Sequence, residues 1–202
     1  TKKIKSKKLM KRPIGTYSDL RTLIRIHYKT SKSQYELDEL LSVFNSTRSV
    51  PSPSTSTISI DNYLNELVPT NRWCKKADLP SAPIIIIVSQ SALRCIELGK
   101  ILKSSSSSSS KSFSFYYLFA KHKKLSDQIE FLRRSTTLLN IIIGTPKRIE
   151  DIFNANALNL KRLKFVLIDW NYQNIKQQRL VDLNQLKTEL CCLLCEQNVL
   201  YK

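Results

Sequence analysis

Short apolar runs alternate with amphipathic stretches through the second part of the chain. The runs are rich in β-branched or aromatic residues and predict strands at residues 82–88, 113–119, 138–143 and 163–169. Apolar residues at helical spacing predict helices at residues 91–102, 126–134, from 146 onward and 181–195. A last strand is predicted to start near Val199. Strands that alternate with helices in this way are typical of an α/β domain with a doubly wound, mostly parallel sheet.

The pattern weakens before Pro80, where we place the domain boundary. Residues 1–79 are expected to form a basic, partly extended N-terminal region, and residues 80–202 the α/β domain. Two amphipathic stretches in the first region, 34–44 and 60–68, predict helices too short to be stable alone, which should dock on the domain or on a partner. Residues rich in Ser, Thr or Pro predict an extended or disordered linker at 46–59 and a flexible loop at 104–110.

The positive charge of the chain indicates what kind of partner it binds rather than how it folds. The 202 residues contain 33 Lys and Arg against 16 Asp and Glu, a net charge of +17. Residues 1–32 hold 11 of these bases and one acid, Asp19. A basic arm ahead of a milder body suits RNA or DNA phosphates, and it also serves as a nuclear or nucleolar address. On the first interpretation Lys7, Lys8, Lys11 and Arg12 add sequence-independent affinity for nucleic acid.

The stretch 138–149, LLNIIIGTPKRI, predicts a corner that contacts phosphate. Gly144 is expected to let the chain turn, Thr145 to cap a helix, and Pro146 to take its first position. Backbone N–H groups at such a helix start bind anions, and Lys147 and Arg148 add charge in the first turn. The alternative is an ordinary strand–helix turn with two solvated bases.

Polar residues follow other predicted strands and extend this candidate site. Ser89 and Thr145 each follow a predicted strand and Asp169 ends one, and ligands of doubly wound sheets gather at the carboxyl ends of strands. We expect Ser89, Ser91 and Arg94 to form the contact next to the corner.

Cysteine usage and hydropathy exclude several classes of protein. The five cysteines are an odd number, which argues against a disulfide framework and suits a reducing compartment. Cys192 and Cys195 form a C-x-x-C in an apolar helical stripe, which favours buried thiols over a zinc site. No apolar run reaches the roughly 20 residues needed to span a bilayer, and no signal peptide follows the basic N-terminus. We therefore expect a soluble, intracellular protein.

Over about residues 80–202 the chain resembles the first RecA-like lobe of DEAD-box RNA helicases. Two segments carry the likeness, IIIGTPKRIEDIF and then LKRLKFVLIDW. That family's two RNA-contacting loops correspond to residues 89–92 and 144–148. Within the superfamily the chain is most similar to the Cms type of ribosomal small-subunit-associated protein. That similarity rests on segments 82–84 (API), 91–94 (SALR), 118–125 (LFAKHKKL), 144–146 (GTP) and 166–170 (VLIDW). The resemblance implies a nucleolar factor among pre-ribosomal RNA and small-subunit assembly factors.

The resemblance implies a lobe of P-loop NTPase type, but the chain lacks residues that a working helicase needs. We therefore predict that the lobe is not an enzyme. ATP hydrolysis on this fold needs a Gly-rich phosphate loop, and the three glycines, Gly15, Gly99 and Gly144, cannot build one. Trp170 replaces the Glu that orients attacking water, and it is expected either to meet a base or partner or to anchor beside the sheet. Asp169 is favoured as a strand terminus or helix cap.

From these departures we expect no catalytic residues, metal, cofactor, small-molecule substrate or membrane contact. The chain is predicted to be an RNA-associated scaffold in small-subunit ribosome assembly. Two other classes remain open, a module that contacts only protein and an ATP-dependent helicase lobe.

Overall fold

The structure, a computed structural model, describes residues 13–43, 60–68, 81–106, 114–135 and 138–195. Its helices are α1 (Tyr17–Tyr28), α2 (Gln34–Val43), α3 (Ile60–Leu67), α4 (Ala92–Ser106), α5 (Leu125–Arg134), α6 (Pro146–Asn154) and α7 (Asn184–Cys195). Its strands are β1 (Ile85–Val88), β2 (Phe115–Leu118), β3 (Ile141–Gly144) and β4 (Phe165–Ile168). Short 3-10 turns lie at Leu160–Arg162 and Leu180–Asp182.

The predicted order of elements from β1 to α7 is confirmed, although α4 runs on to Ser106, into the predicted serine loop. The predicted linker at 46–59 and the strand near Val199 lie outside the described residues.

The four strands form one parallel sheet in the order β2-β3-β1-β4. Ile85 of β1 is level with Ile141 of β3 and Phe165 of β4. The connection from β1 to β2 runs through α4, and those from β2 to β3 and from β3 to β4 run through α5 and α6. The first connection moves along the sheet in the opposite direction to the other two. Helices on both faces of a parallel sheet confirm the predicted α/β class and agree with a doubly wound arrangement.

Alternate side chains of each strand enter two separate hydrophobic clusters. Ile86 and Ile142 pack on one face with residues of α1, α2, α5, α6 and α7. Ile85, Ile87 and Ile143 pack on the other face with residues of α3 and α4. Burial on both faces is the physical reason for the uninterrupted apolar runs in the sequence.

The two short predicted helices dock on the sheet of their own chain. Leu37, Leu40 and Leu41 of α2 are buried in the cluster that contains Ile86. Leu64 of α3 is buried in the opposite cluster. This packing agrees with the expectation that the two helices dock on the domain. The boundary at Pro80 stays a prediction, because Pro80 is not among the described residues.

Helix α1 was not predicted. Thr16 caps it, because the Asp19 backbone N–H donates to Thr16 Oγ1 and the Thr16 N–H donates to Asp19 Oδ2 at 2.6 Å. The Asp19 carboxylate accepts hydrogen bonds from the Thr16 N–H and from the Thr16 hydroxyl, and these two bonds lower the pKa of Asp19. The cap therefore stabilises α1 at neutral pH and weakens as the pH falls through that lowered value. Ile24 and Tyr28, four residues apart, are buried against the sheet.

Gly144 does not make the predicted turn. It is the last residue of β3, it is level with Leu118 of β2, and no glycine has a positive φ in the part of the chain that the structure describes. A Cβ at this position would lie 2.6 Å from the carbonyl oxygen of Leu118 and 2.8 Å from Cγ1 of Ile149. Close packing between strand and helix, rather than backbone freedom, explains why a glycine is present.

Candidate nucleic-acid interface

The predicted polar residues meet at the carboxyl edge of the sheet. The Ser89 N–H donates to the Gly144 carbonyl at 2.9 Å, and the Asp169 N–H donates to the Val88 carbonyl at 2.9 Å. The Thr145 N–H donates to the Leu118 carbonyl at 3.0 Å. Ser89, Thr145 and Asp169 therefore follow three adjacent strands at one edge, as the sequence predicted.

At the start of α6, Thr145 and Pro146 take the predicted positions, but the predicted side-chain cap is not formed. Thr145 is the N-cap with extended backbone, Pro146 follows in the first helical turn, and the Thr145 hydroxyl makes no capping hydrogen bond. Lys147 turns back along its own helix and pairs with Glu150 at 3.2 Å and Asp151 at 3.0 Å. Hydrogen bonds to Asp151 and Glu150 raise the pKa of Lys147. Its charge is thus largely balanced before any ligand arrives.

Arg148 lies beneath the surface of the corner, with 9 % of its area exposed. Its Nη2 donates to the Lys123 carbonyl at 3.4 Å, and its Nη1 is buried without a hydrogen-bond partner. Gly144 and Ser89 are also buried. Arg148 therefore underlies the loop that contains Lys123.

The loop of residues 120–124, which we call the lysine loop, carries exposed charge at this edge. It follows β2, and Lys121, His122, Lys123 and Lys124 are all exposed. The three lysines make no ion pair with any residue that the structure describes, although Lys123 Nζ lies 5.4 Å from the centroid of the Tyr116 ring. In the sequence this segment carries part of the family resemblance, and it was not predicted to bind phosphate. A run of bases directly after a predicted strand was the available signal.

Arg94 and Asp169 form the electrostatic centre of the edge. Arg94 Nε donates to Asp169 Oδ2 at 2.8 Å, and the two side chains are 20 % and 15 % exposed. Ser89 Oγ donates to the same carboxylate oxygen at 3.3 Å, and the Arg94 guanidinium stacks on Tyr172 at 4.1 Å. Burial opposes the charged form, yet the hydrogen bond and charge of Asp169 leave the pKa of Arg94 raised. Asp169 is thus an ion-pair partner, a role that the expected strand terminus or helix cap did not include.

Ser91 caps the helix that carries Arg94. The Arg94 backbone N–H donates to Ser91 Oγ at 3.2 Å, and the Cys95 N–H donates to the Ser91 carbonyl at 3.0 Å. The sequence predicted Ser89, Ser91 and Arg94 as ligand contacts. The structure brings them together, but it engages all three in contacts within the protein.

Neutralising Asp169 tests this ion pair. We expect Asp169→Asn to lower the free energy of unfolding by about 1–3 kcal/mol, because a mostly buried guanidinium loses its counter-charge. Urea denaturation followed by circular dichroism measures the change. Glu97→Gln is the matched control, since Glu97 also contacts Arg94, at 3.2 Å, but is 53 % exposed. It should cost less than about 0.5 kcal/mol, and equal losses would contradict the assignment.

Residues 13–15 pack against the loop that follows β4. The Gly15 N–H donates to Asn171 Oδ1 at 2.9 Å, and Arg179 Nη2 donates to the Pro13 carbonyl at 2.8 Å. A Cβ on Gly15 would overlap the indole of Trp170, at 1.9 Å from Cδ1. Trp170 is half-buried and packs against Gly15, which agrees with the predicted anchor beside the sheet, and contact with a base or a partner stays a prediction. The basic arm residues Lys7, Lys8, Lys11 and Arg12 lie outside the described residues.

The cysteines in the described part of the chain form no disulfide with one another. Cys95, Cys191 and Cys195 are buried, and burial raises the pKa of Cys191 to about 12. The described ranges contain no group of His, Cys, Asp and Glu able to hold a metal ion. They also contain no helix long and apolar enough to cross a membrane. The prediction of buried thiols is confirmed for Cys191 and Cys195, but Cys192 is only half-buried.

Comparison with known proteins identifies the family. A family model described as "CMS1: U3-containing 90S pre-ribosomal complex subunit" matches residues 25–202. The chain belongs to the CMS1 family. This confirms the Cms-type resemblance read from the sequence.

Curated CMS1-family relatives extend the comparison. The chain is 31 % identical over 181 residues to Protein CMSS1 of Xenopus laevis, covering 89 % of this chain and 62 % of the relative. It is 32 % identical over 182 residues to Protein CMSS1 of Danio rerio, covering 87 % and 58 %. Protein cms1 of Schizosaccharomyces pombe is 27 % identical over 184 residues, covering 91 % and 60 %. The chain thus spans about three fifths of the length of these relatives.

Proposed function

We propose that this chain is a non-catalytic, RNA-associated assembly factor of early small-subunit ribosome biogenesis. The family description supports the assembly role, because it names a subunit of a U3-containing 90S pre-ribosomal complex. The RNA contact is carried by one observation, the lysines of the lysine loop beside the start of α6, which form no ion pair with the part of the chain that the structure describes. Pre-ribosomal RNA and assembly factors are its partners, and the nucleolus is its location.

The lysine loop and the start of α6 form the phosphate-binding surface. Lys121, Lys123 and Lys124 supply charge, while Thr145 supplies a hydroxyl and the first turn of α6 supplies backbone N–H groups. Arg148 and Gly144 shape this surface from below. Lys147 joins it when a phosphate competes with Glu150 and Asp151 for its ammonium group.

Residues 13–15, which follow the basic arm in the sequence, lie at the far end of the same edge. Ser89, Ser91 and Arg94 hold the central part of the edge rigid through Asp169 and the cap of α4. The hydrogen bonds of Pro13 and Gly15 fix the chain just after Arg12 to the loop beyond β4. Residues 13–15 lie about 14 Å across the sheet from the lysine loop. In this proposal Lys7, Lys8, Lys11 and Arg12, which precede them in the sequence, add sequence-independent affinity for the same RNA strand.

The domain is a RecA-like lobe of DEAD-box type that has lost its ATP chemistry. The parallel sheet, the GTP corner after β3 and the aspartate after β4 support that origin. The residues present do not fit Mg²⁺ and ATP, because Arg94 and Ser89 engage the Asp169 carboxylate and no phosphate loop stands in the sequence. No catalytic residue, metal or cofactor is therefore assigned.

A protein-only module is the second candidate function. Three residues that were predicted to contact RNA favour it. Arg94 and Lys147 are paired with carboxylates, and Arg148 is buried. Charge that is already balanced contributes little to phosphate binding. The lysine loop decides between the two candidates.

Photo-crosslinking of the chain to 4-thiouridine-labelled single-stranded RNA tests the proposal. We expect mass spectrometry to find adducts at residues 120–124 and at Thr145. The amino edge of the sheet, including Lys161 and Lys164, serves as the internal control and should carry few adducts. Equal labelling of both edges would show only unspecific attraction, and an absence of adducts at the lysine loop would favour the protein-only module.

A further inference from the structure

A second concave surface lies at the amino edge of the sheet, opposite the lysine loop. Its cavity of about 500 Å³ falls between the C-terminal ends of α5 and α6 and the 3-10 turn before β4. That volume is within the range of pockets that bind ligands or peptide side chains. The candidate RNA surface uses none of its residues.

The floor of this amino-edge pocket is apolar. It is formed by side chains of α5, α6 and the segment after α6, namely Leu132, Phe153, Ala157, Leu158 and Leu160. Leu132 and Ala157 are buried, while Leu158 and Leu160 keep part of their surface open. An occupant must bring an apolar group to gain free energy from this floor.

The rim of the pocket is positive. Arg133 and Lys161 line it, no acidic residue of the described ranges does, and Arg162 and Lys164 lie next to it in sequence. Lys161 and Lys164 make no ion pair in the described part of the chain. Unbalanced positive charge around an apolar floor selects an occupant with acidic groups beside an apolar one.

Polar groups of the pocket suit a peptide main chain. The exposed Asn156 has an amide with no hydrogen bond to the described protein, and its backbone φ is 50°. Asn159 is engaged, because its Oδ1 accepts from the Lys161 N–H at 3.0 Å. Ser81 is engaged too, since its hydroxyl donates to the Leu132 carbonyl and its own carbonyl accepts from the Asn159 N–H. The hydrogen bonds of Asn159 and Ser81 therefore fix the shape of the pocket. The Asn156 amide is available to bind a peptide main chain.

We infer that the amino-edge pocket docks an acidic peptide segment of a protein partner, with an apolar anchor side chain on the pocket floor. An RNA base is a poorer occupant, because Phe153 is only 9 % exposed and offers little ring face for stacking. The inference is independent of the RNA contact, since the two surfaces lie at opposite edges of the sheet. Both surfaces are accessible at the same time.

A peptide library displayed on phage tests the inference with the whole chain as bait. We expect enriched peptides to combine an aromatic or large aliphatic residue with neighbouring Asp or Glu. The best peptide, labelled with fluorescein, should bind about fivefold more weakly to Lys161→Glu and lose affinity as salt rises. Asn156→Asp places an acid in the pocket without enlarging it and should weaken binding in the same direction.

Matched controls keep this test decisive. Lys176→Glu makes the same charge change on the exposed loop beyond β4 and should leave peptide affinity unchanged. Replacing the acids of the peptide with amides should weaken binding to the wild type and abolish the difference between wild type and Lys161→Glu. Enrichment of peptides without acids, equal effects of Lys161→Glu and Lys176→Glu, no enrichment, or RNA adducts at Lys161 would each overturn the inference.

Discussion

Replacing Gly144 with alanine is expected to destabilise the protein by roughly 2–4 kcal/mol, a large part of the stability of an ordinary domain. The new Cβ would meet the carbonyl oxygen of Leu118 at 2.6 Å and Leu118 Cβ at 2.9 Å. Both atoms belong to the neighbouring strand, whose position is fixed by the sheet. Relief therefore requires β2 and β3 to separate at the edge that carries the lysine loop. Urea denaturation, followed by far-UV circular dichroism, measures the loss.

Gly99→Ala provides the matched control for that substitution. A Cβ at Gly99 would also be too close to a neighbour, at 2.0 Å from the hydroxyl oxygen of Tyr117. That atom is the far end of a half-buried side chain, which can rotate away. Alanine also favours the helix by about 1 kcal/mol relative to glycine. We expect a loss clearly smaller than that of Gly144→Ala, and a larger one would show that β2 yields easily.

The order of strands and helices was predictable because both faces of the sheet are buried. An uninterrupted apolar run, such as IIII before Val88, indicates a strand covered on both faces when amphipathic stretches separate it from the next run. Helix α1 escaped prediction because Arg21 and Arg25 made its segment resemble the basic arm. The Thr16 and Asp19 capping box, with Ile24 and Tyr28 one turn apart, was the available signal.

The sequence predicted where the candidate site lies on the sheet but not which of its charged side chains are paired or buried. The order of the sequence determines which residues follow strands. It was therefore possible to predict that Ser89, Thr145 and Asp169 lie at the same edge of the sheet. Whether a base is free depends on contacts distant in sequence, such as the pairing of Arg94 with Asp169, 75 residues away. Helical spacing alone would have shown that Lys147 faces Glu150 and Asp151. The burial of Arg148 could be found only from the fold.

Removing the charge of the lysine loop is expected to weaken RNA binding by roughly 100-fold at 0.1 M salt. Each lysine that neutralises a phosphate of single-stranded RNA contributes about 0.7 to the slope of log affinity against log salt. At this salt concentration, that slope corresponds to about fivefold in affinity for each lysine. The variant is Lys121→Gln with Lys123→Gln and Lys124→Gln, and fluorescence anisotropy with oligouridine over a salt series measures both quantities. The slope should become less steep by about 2.

The matched control for the lysine-loop variant removes the same number of charges elsewhere. Lys100, Lys161 and Lys164 are exposed, and none lies at the carboxyl edge of the sheet. Their replacement by glutamine lowers the net charge equally, so an effect of overall charge alone would weaken binding by the same factor in both variants. We expect the control to lose less than about threefold, because distant exposed charges are screened at this salt concentration. Equal losses would assign RNA attraction to the total charge of the chain, and no loss in either variant would assign it to the basic arm.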